Sequence, residues 1–382
     1  MITTQRLPRA APARVLAFGA WLKNSACLLD GDAVHWSPLH GDLDTPEACR
    51  ALAASAQALL GRAEGGLDAV AHDLHPDFES TRQARAVADR LGVPALAVQH
   101  HHAHIGVLQA EQGSVAPAVG LALDGVGLGP DGSAWGGELL QVAGAQWTRL
   151  AHLTPLRLPG GDLAAREPWR MAAAALHALG RDAEIVPRLA PAVGERLASG
   201  VALLLRRGLH CPATTSAGRW FDAIAGLLAL SVRQQQEAEA AMRLERAAAG
   251  WLETQAAPRV ASCGMDLRPL ARDCLELADR GATAEAAALF HVGLADGLAQ
   301  AAGEAARRAG IDSVLLGGGC FHNRLLTRRL AARLEAAGLA VRQVHGRGPG
   351  DAGLALGQAW IAAQRLAGGH GDLVTTEVSA CA

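Results

Sequence analysis

Four histidines occupy five positions in His100-His101-His102-Ala103-His104. His100 and His104 are four apart, so on an α-helix both rings lie on one face, one turn above the other. That spacing suits two imidazoles on one metal ion, and the plainer alternative is a polar helix start with solvated rings. His101 sits about 100° away around such a helix and does not share the face. Two aspartates are candidates to complete the set. Asp124 follows the apolar stretch 118–123 and opens the glycine-rich run 124–132. The pattern predicts that it ends a strand, as a cation ligand or as the first residue of an Asp-Gly turn. Asp351 lies in Arg347-Gly-Pro-Gly-Asp-Ala-Gly353, between a strand and a helix pattern, where a carboxylate also serves as a helix N-cap. His100, His104, Asp124 and Asp351 together form a mixed set that suits Fe(II), Zn(II) or Mn(II) rather than Ca(II).

Two glycine loops are candidates for a nucleotide. Gly317-Gly318-Gly319 follows an apolar strand pattern and precedes a helical one, where backbone N–H groups and a helix start face an anion. It is neither a GxGxxG nor a Walker A motif. Gly160-Gly161-Asp162, with Glu167 a turn later, reads as a second phosphate or ribose loop, or else as a surface turn. Lys23 is the one lysine among 35 basic residues. A compact ammonium retained among arginines suits a phosphate contact, against chance survival in an Arg-biased composition. Cys320, beside the 317–319 loop, reads as a small buried hydrophobe. With no tyrosine in the chain, no phenol serves as acid, base or nucleophile.

The elements that must hold these residues alternate. Strand patterns at 15–18, 26–29, 67–71 and 95–98 enclose helical patterns at 46–60 and 81–91, which argues for a sheet flanked by helices. A second start, strand–turn–strand from 118 to 142, echoes the first and hints at duplication. From about 160 to about 265 the chain turns helical, with a long helix expected at 234–254. The α/β pattern returns with strands at 314–316 and 340–344 and helices at 324–337 and 353–364. From Gly368 the sequence reads as a loose tail. The resulting expectation is a first lobe over 1–115 and a second over 116–382 that carries the helical insertion.

The chain has 382 residues, half of them hydrophobic, and a mean hydropathy of +0.14. That is ample for a buried core. No apolar run reaches the roughly 20 residues of a membrane span, and residues 1–9 lack the apolar core of a signal peptide. Seven cysteines without a CxxC pair read as reduced thiols in a cytoplasm. A net charge of −2 disfavours a nucleic-acid partner.

Ten strings then carry a resemblance, in order, over almost the whole chain. They are Gly19-Ala-Trp-Leu-Lys-Asn24, Asp73-Leu-His-Pro-Asp77, Val98-Gln-His-His-His-Ala-His-Ile105, Asp124-Gly-Val-Gly-Leu-Gly129, Trp135-Gly-Gly-Glu138, Pro159-Gly-Gly-Asp162, Glu167-Pro-Trp-Arg-Met171, Gly218-Arg-Trp-Phe-Asp222, Gly317-Gly-Gly-Cys-Phe-His-Asn323 and Asp351-Ala-Gly-Leu-Ala-Leu-Gly-Gln358. The chain resembles the C-terminal, TsaD-like transferase part of the HypF hydrogenase maturation carbamoyltransferases. The resemblance implies a two-lobed α/β fold of the actin, sugar-kinase and Hsp70 type. It implies an iron or zinc ion on His100, His104, Asp124 and Asp351. It implies ATP or carbamoyl adenylate on Gly160, Gly161, Asp162, Glu167, Gly318, Gly319 and Asn323. The implied reaction passes a carbamoyl group to the C-terminal cysteine of a HypE-like maturation protein; Lys23, as a phosphate contact, and Asp124 are the candidate catalytic residues.

There are two departures. Full-length family members carry upstream acylphosphatase, zinc-finger and YrdC-like domains, whereas this chain reads as a truncated form or isolated domain. On that reading, the adenylate is made elsewhere. His322 stands where the family more often has a glutamine. Two other readings stay open: an O- or N-carbamoyltransferase acting on a small molecule or tRNA, and a non-catalytic nucleotide-binding scaffold for the maturation protein.

Overall fold

The computed structural model describes residues 1–368. The expected loose tail falls almost wholly outside them. Two sheets share one topology. The first takes β1 (Thr3–Arg6), β2 (Val15–Ala17), β3 (Cys27–Asp30), β4 (Ala33–Trp36), β5 (Ala69–Asp73) and β6 (Ala95–Val98), in spatial order β1-β4-β3-β2-β5-β6. Helices α1 (Pro46–Leu60), α2 (Glu79–Leu91) and α3 (His100–Gln112) follow β4, β5 and β6. The second sheet takes β7 (Ala118–Leu128), β8 (Ala134–Ala143), β9 (Gln146–His152), the two-residue β10 (Leu156–Arg157) and β11 (Ala213–Thr214), β12 (Ser313–Gly317) and β13 (Ala340–Gln343). In both, a three-stranded antiparallel meander continues into two parallel strands: β4-β3-β2-β5-β6 and β9-β8-β7-β12-β13. This is the two-lobed actin and sugar-kinase type of α/β fold, and the duplication hinted at in the sequence is one of topology.

Between β10 and β12 the chain is nearly all helix: α4 (Leu163–Arg166), α5 (Pro168–Ala178), α6 (Ile185–Val193), α7 (Glu195–Arg207), α8 (Ala217–Leu227), α9 (Glu239–Leu252), α10 (Arg268–Asp279) and α11 (Thr283–Ala309). The helices run past residue 265, to Ala309. The helix expected from 234 begins at Glu239, because Gln234 turns its side-chain oxygen onto the Ala240 N–H at 2.9 Å instead of continuing the helix. Alanine and leucine faces of α5, α8, α9, α10 and α11 form the largest core with the apolar faces of β7 and β12. Among the described residues, no helix is long and apolar enough to cross a membrane.

The last helices close the molecule. α12 (Arg324–Ala336) covers the second sheet, whereas α13 (Leu354–Ala367) returns to the first, burying Leu356, Ala359 and Trp360 against Val15, Ala17, Cys27 and Leu29. In the opposite sense α3 packs Ile105 and Leu108 against Ala118, Ala122 and Leu315 of the second sheet. Each lobe thus lends its last helix to the other, and α3 and α13 cross between the sheets. Their closeness requires glycine, since a Cβ on Gly357 would stand 1.8 Å from the Ala103 carbonyl oxygen.

One expectation is corrected. Asp124 does not end its strand: β7 runs on to Leu128, with a bulge between Leu123 and Gly127, and Gly127 and Leu128 pair with Trp135 and Ala134. The tight turn lies beyond it, where the Gly129 N–H donates to the Ser133 carbonyl at 2.9 Å. A bulge re-aims one side chain without ending the strand, and here that residue is Asp124.

Candidate metal centre

Strand ends and helix starts build the site. α3 begins at His100 behind Gln99, whose side-chain oxygen caps it by accepting the His102 N–H at 2.8 Å. That registers the helix so that His100 and His104 face the bulge of β7. His100 Nε2 lies 3.2 Å from Asp124 Oδ2 and 3.4 Å from Asp351 Oδ1; His104 Nε2 lies 3.3 and 3.4 Å from the same two atoms. Asp351 opens the short 3-10 turn Asp351–Gly353 ahead of α13. All four donor atoms fall within 4.8 Å of one another.

These separations fit a shared ion. Charge-assisted N–H to carboxylate bonds run at about 2.7–2.9 Å. A tetrahedral ion with nitrogen and oxygen ligands at roughly 2.0–2.2 Å has ligand–ligand edges of about 3.3–3.6 Å. The donor set, two imidazoles and two carboxylates, also suits a transition ion. Burial by itself would drive the imidazoles neutral, but the carboxylates of Asp351, Asp73 and Asp124 overcome it and hold His100 well above its ordinary value. His104 is raised in the same way by Asp124 and Asp351. Burial would raise both carboxyls, and His100 and His104 instead hold Asp124 and Asp351 below the usual range. The four groups therefore form a pre-paired, charge-balanced cluster.

The other two histidines have different surroundings. His101 is fully buried, with its ring beside Trp135 and its Nδ1 3.0 Å from Gln99 Nε2. Burial, then the neighbouring His100, pushes it well below its ordinary value. His102 lies against Trp147, and burial and Arg365 lower it to about 3.

The glycine loop at the end of β12 touches the cluster directly. The Gly319 N–H donates to Asp124 Oδ1 at 3.1 Å and the Gly318 N–H donates to the Pro349 carbonyl at 2.9 Å. Neither N–H points free, so what this loop offers a ligand is close backbone approach. Gly318 has φ +105°, and a Cβ there would meet the Leu123 oxygen at 2.3 Å. Asn323 caps α12 by accepting the Leu326 N–H at 2.9 Å, while its Nδ2 lies 2.9 Å from His291 Nε2. Its amide is engaged at both ends.

The remaining candidates come from other segments. Gly160 and Gly161 take positive φ in the turn before α4, where the Gly160 N–H donates to the His210 carbonyl at 2.9 Å. Asp162 is exposed, and Glu167 bonds Trp169 Nε1 at 3.1 Å and pairs with Arg170 and Arg233. Lys23 has φ +44° in the first hairpin turn, and its Nζ pairs with Glu237 of the insertion at 2.8 Å. Burial would lower its ammonium, but Glu237, Asp351 and Asp124 hold it raised. Sequence reasoning gave no role to Glu237, to Asp73, or to Gln358, which bonds both the N–H (2.9 Å) and the carbonyl (3.1 Å) of Gly19. Asp73 and Gln358 stood in the quoted strings; nothing in their spacing showed what they would meet.

Comparisons agree with this architecture. The family model for the "HypF Kae1-like domain" matches residues 10–111, and that for "Carbamoyltransferase, Kae1-like Domain, second subdomain" matches residues 120–358. The chain is 55% identical to a carbamoyltransferase HypF homolog of Cupriavidus necator, over 94% of each. It is 45% identical to carbamoyltransferase HypF2 of the same organism, over 94% of this chain and 48% of that one. Among solved structures, full-length HypF in its phosphate- and nucleotide-bound form superposes with a TM-score of 0.86 at 29% identity, over 95% of this chain and 57% of that one. HypF of T. kodakarensis gives 0.85 at 31% identity, over 96% of this chain and 49% of that one. The chain therefore spans nearly all of one curated relative and about half the length of the others. With models matching both lobes, it belongs to the HypF carbamoyltransferase family.

Proposed function

We propose that this chain transfers a carbamoyl group from carbamoyl adenylate to the C-terminal cysteine of a HypE-like protein in [NiFe]-hydrogenase maturation, in a cytoplasmic setting. The observation that carries the reading is the convergence of His100, His104, Asp124 and Asp351 beside the Gly318–Gly319 loop, between two lobes of this family. An iron or zinc ion on those four residues would polarise the carbamoyl group and offset charge at the phosphate.

The chain's own groups supply the rest. Gly318 and Gly319, with Gly160 and Gly161, allow close approach of the nucleotide. Asp162, Glu167 and Asn323 belong to the same proposed nucleotide site. Lys23, once it releases Glu237, would contact an anionic phosphate. Asp124 holds the Gly319 backbone as well as the metal position, so it couples the loop to the centre. The nucleophile is the partner's thiolate. Sulfur bonds to the carbamoyl carbon, the carbon–oxygen bond to phosphate breaks, and AMP departs. Buried Cys27 and Cys274 are poor rival nucleophiles, and burial raises the Cys320 thiol too.

The test is mass spectrometry of HypE incubated with this chain and supplied carbamoyl adenylate. A gain of one carbamoyl group on the C-terminal cysteine is expected, with AMP released in equal amount. An unmodified HypE alongside a chain that binds nucleotide would favour the scaffold reading instead.

A further inference from the structure

Asp73 lies outside the four candidate ligands, but the sheet delivers it to one of them. β5 ends at Asp73, and its parallel register with β6 pairs Asp73 with Val98. Two residues beyond Val98, α3 starts with His100. The strand end and the helix start therefore meet, and Asp73 Oδ2 lies 2.8 Å from His100 Nδ1, with both side chains buried. This contact is shorter than the four between the imidazoles and Asp124 or Asp351, and it has the length of a true charge-assisted hydrogen bond. The second oxygen is fixed as well, since Asp73 Oδ1 accepts the His75 N–H at 2.9 Å. A carboxylate held at both oxygens has one orientation to offer its histidine.

We infer that Asp73 is a positioning residue for the metal centre. It keeps a proton on His100 Nδ1, so that Nε2, which faces Asp124 and Asp351, is the nitrogen that gives up its proton to a metal. An imidazole left free to choose would place its proton on either nitrogen, and half of those choices block the ligating one. A carboxylate behind a ligating histidine also raises its basicity, and loss of such a partner typically weakens metal binding 10- to 100-fold. This inference rests on the metal-site reading above.

The test is zinc affinity of the full chain, measured by competition with a chelating dye, for wild type and Asp73→Asn. Asparagine keeps the shape but can turn its NH2 toward Nδ1, which would move the proton to Nε2. The expected result is a 10- to 100-fold loss of zinc affinity in a protein that still folds without metal. Equal zinc affinity in the two proteins overturns the role of Asp73 and leaves the metal site standing. Failure of the wild type to bind zinc overturns both. If Asp73→Asn does not fold, wild-type zinc-loaded protein with 15N-labelled histidine decides. A slowly exchanging N–H on Nδ1 of His100 supports the assignment, and a proton on Nε2 overturns it.

Discussion

His100 and His101 are neighbours with opposite duties, set by what each ring faces. His100 meets carboxylates on both nitrogens, whereas His101 lies on Trp135 with centroids 6.2 Å apart. His100→Ala and His104→Ala are expected to abolish stoichiometric metal in elemental analysis. His101→Ala should keep the metal yet lower stability by about 1–3 kcal/mol, because a filled, buried position is emptied. That His100 and His104 share one face was legible because i, i+4 spacing is a local property of a helix. Asp73 was not, because only strand register brings it within reach of His100. A second residue-scale prediction concerns His291, which burial lowers to about 4 from 6.5. Its folded value is depressed, so as pH falls the unfolded chain takes the proton first. Its contribution is complete above pH 6.5 and is lost progressively toward pH 4, by about 3 kcal/mol at most. Asp222, raised by burial to about 6, opposes this trend, so the comparison must be between variants. Denaturant unfolding of wild type and His291→Gln at pH 7 and pH 4.5 should show the smaller acid loss in the variant.

Elements decide what a glycine does. The run 124–129 reads locally as a turn, because Asp-Gly is a common hairpin signal. Pairing with β8 overrides that signal and keeps Gly127 in the strand, where a Cβ would stand 2.8 Å from the His100 ring. The close approach of β7 to α3 is a tertiary fact that no local pattern carries. The loops differ in the same way. Gly318 is wedged against Leu123, so Gly318→Ala is expected to unfold the protein or prevent its soluble expression. It cannot serve as a clean test of nucleotide binding. Gly161 has φ +62° with nothing within 4 Å of a Cβ. Asparagine tolerates that conformation, so Gly161→Asn should fold with a melting temperature within a few degrees of wild type. In calorimetry its affinity for ATP should fall several-fold, because the new side chain would fill the proposed approach of the phosphate. Unchanged affinity would remove this loop from the nucleotide site.

At the scale of the whole molecule, the candidate metal centre is a product of how two helices cross. α3 brings His100 and His104, and Asp351 leads directly into α13, so one contact registers both the two sheets and the four candidate ligands. That contact is close at the backbone: Gly357 lies against the Ala103 carbonyl, and Gly106 faces the Gly357 carbonyl oxygen and the Ile361 side chain. Gln358, the next residue on α13, clamps the first hairpin turn through Gly19. The sequence showed both helices and the two-lobed fold class but not that each helix crosses to the other sheet, since periodicity reports which face is apolar and not what covers it. The crossing yields a prediction whose sign opposes the usual one. In a helix interior, Gly→Ala ordinarily stabilises by roughly 0.5–1 kcal/mol. At Gly357 the added methyl would stand 1.8 Å from the Ala103 oxygen and 2.7 Å from its carbonyl carbon, atoms that cannot move without moving α3. Gly357→Ala should therefore destabilise by several kcal/mol, seen as a lower midpoint in thermal unfolding, since overpacking against a backbone has no rotamer to relieve it. The same displacement carries His100 and His104 away from Asp351, so any protein that still folds should bind zinc more weakly than wild type. Gly250→Ala, on α9 with nothing within 4 Å of its Cβ, is the matched control and should show neither effect. A Gly357→Ala protein as stable as wild type, with its zinc affinity intact, would show that the crossing does not hold the centre together.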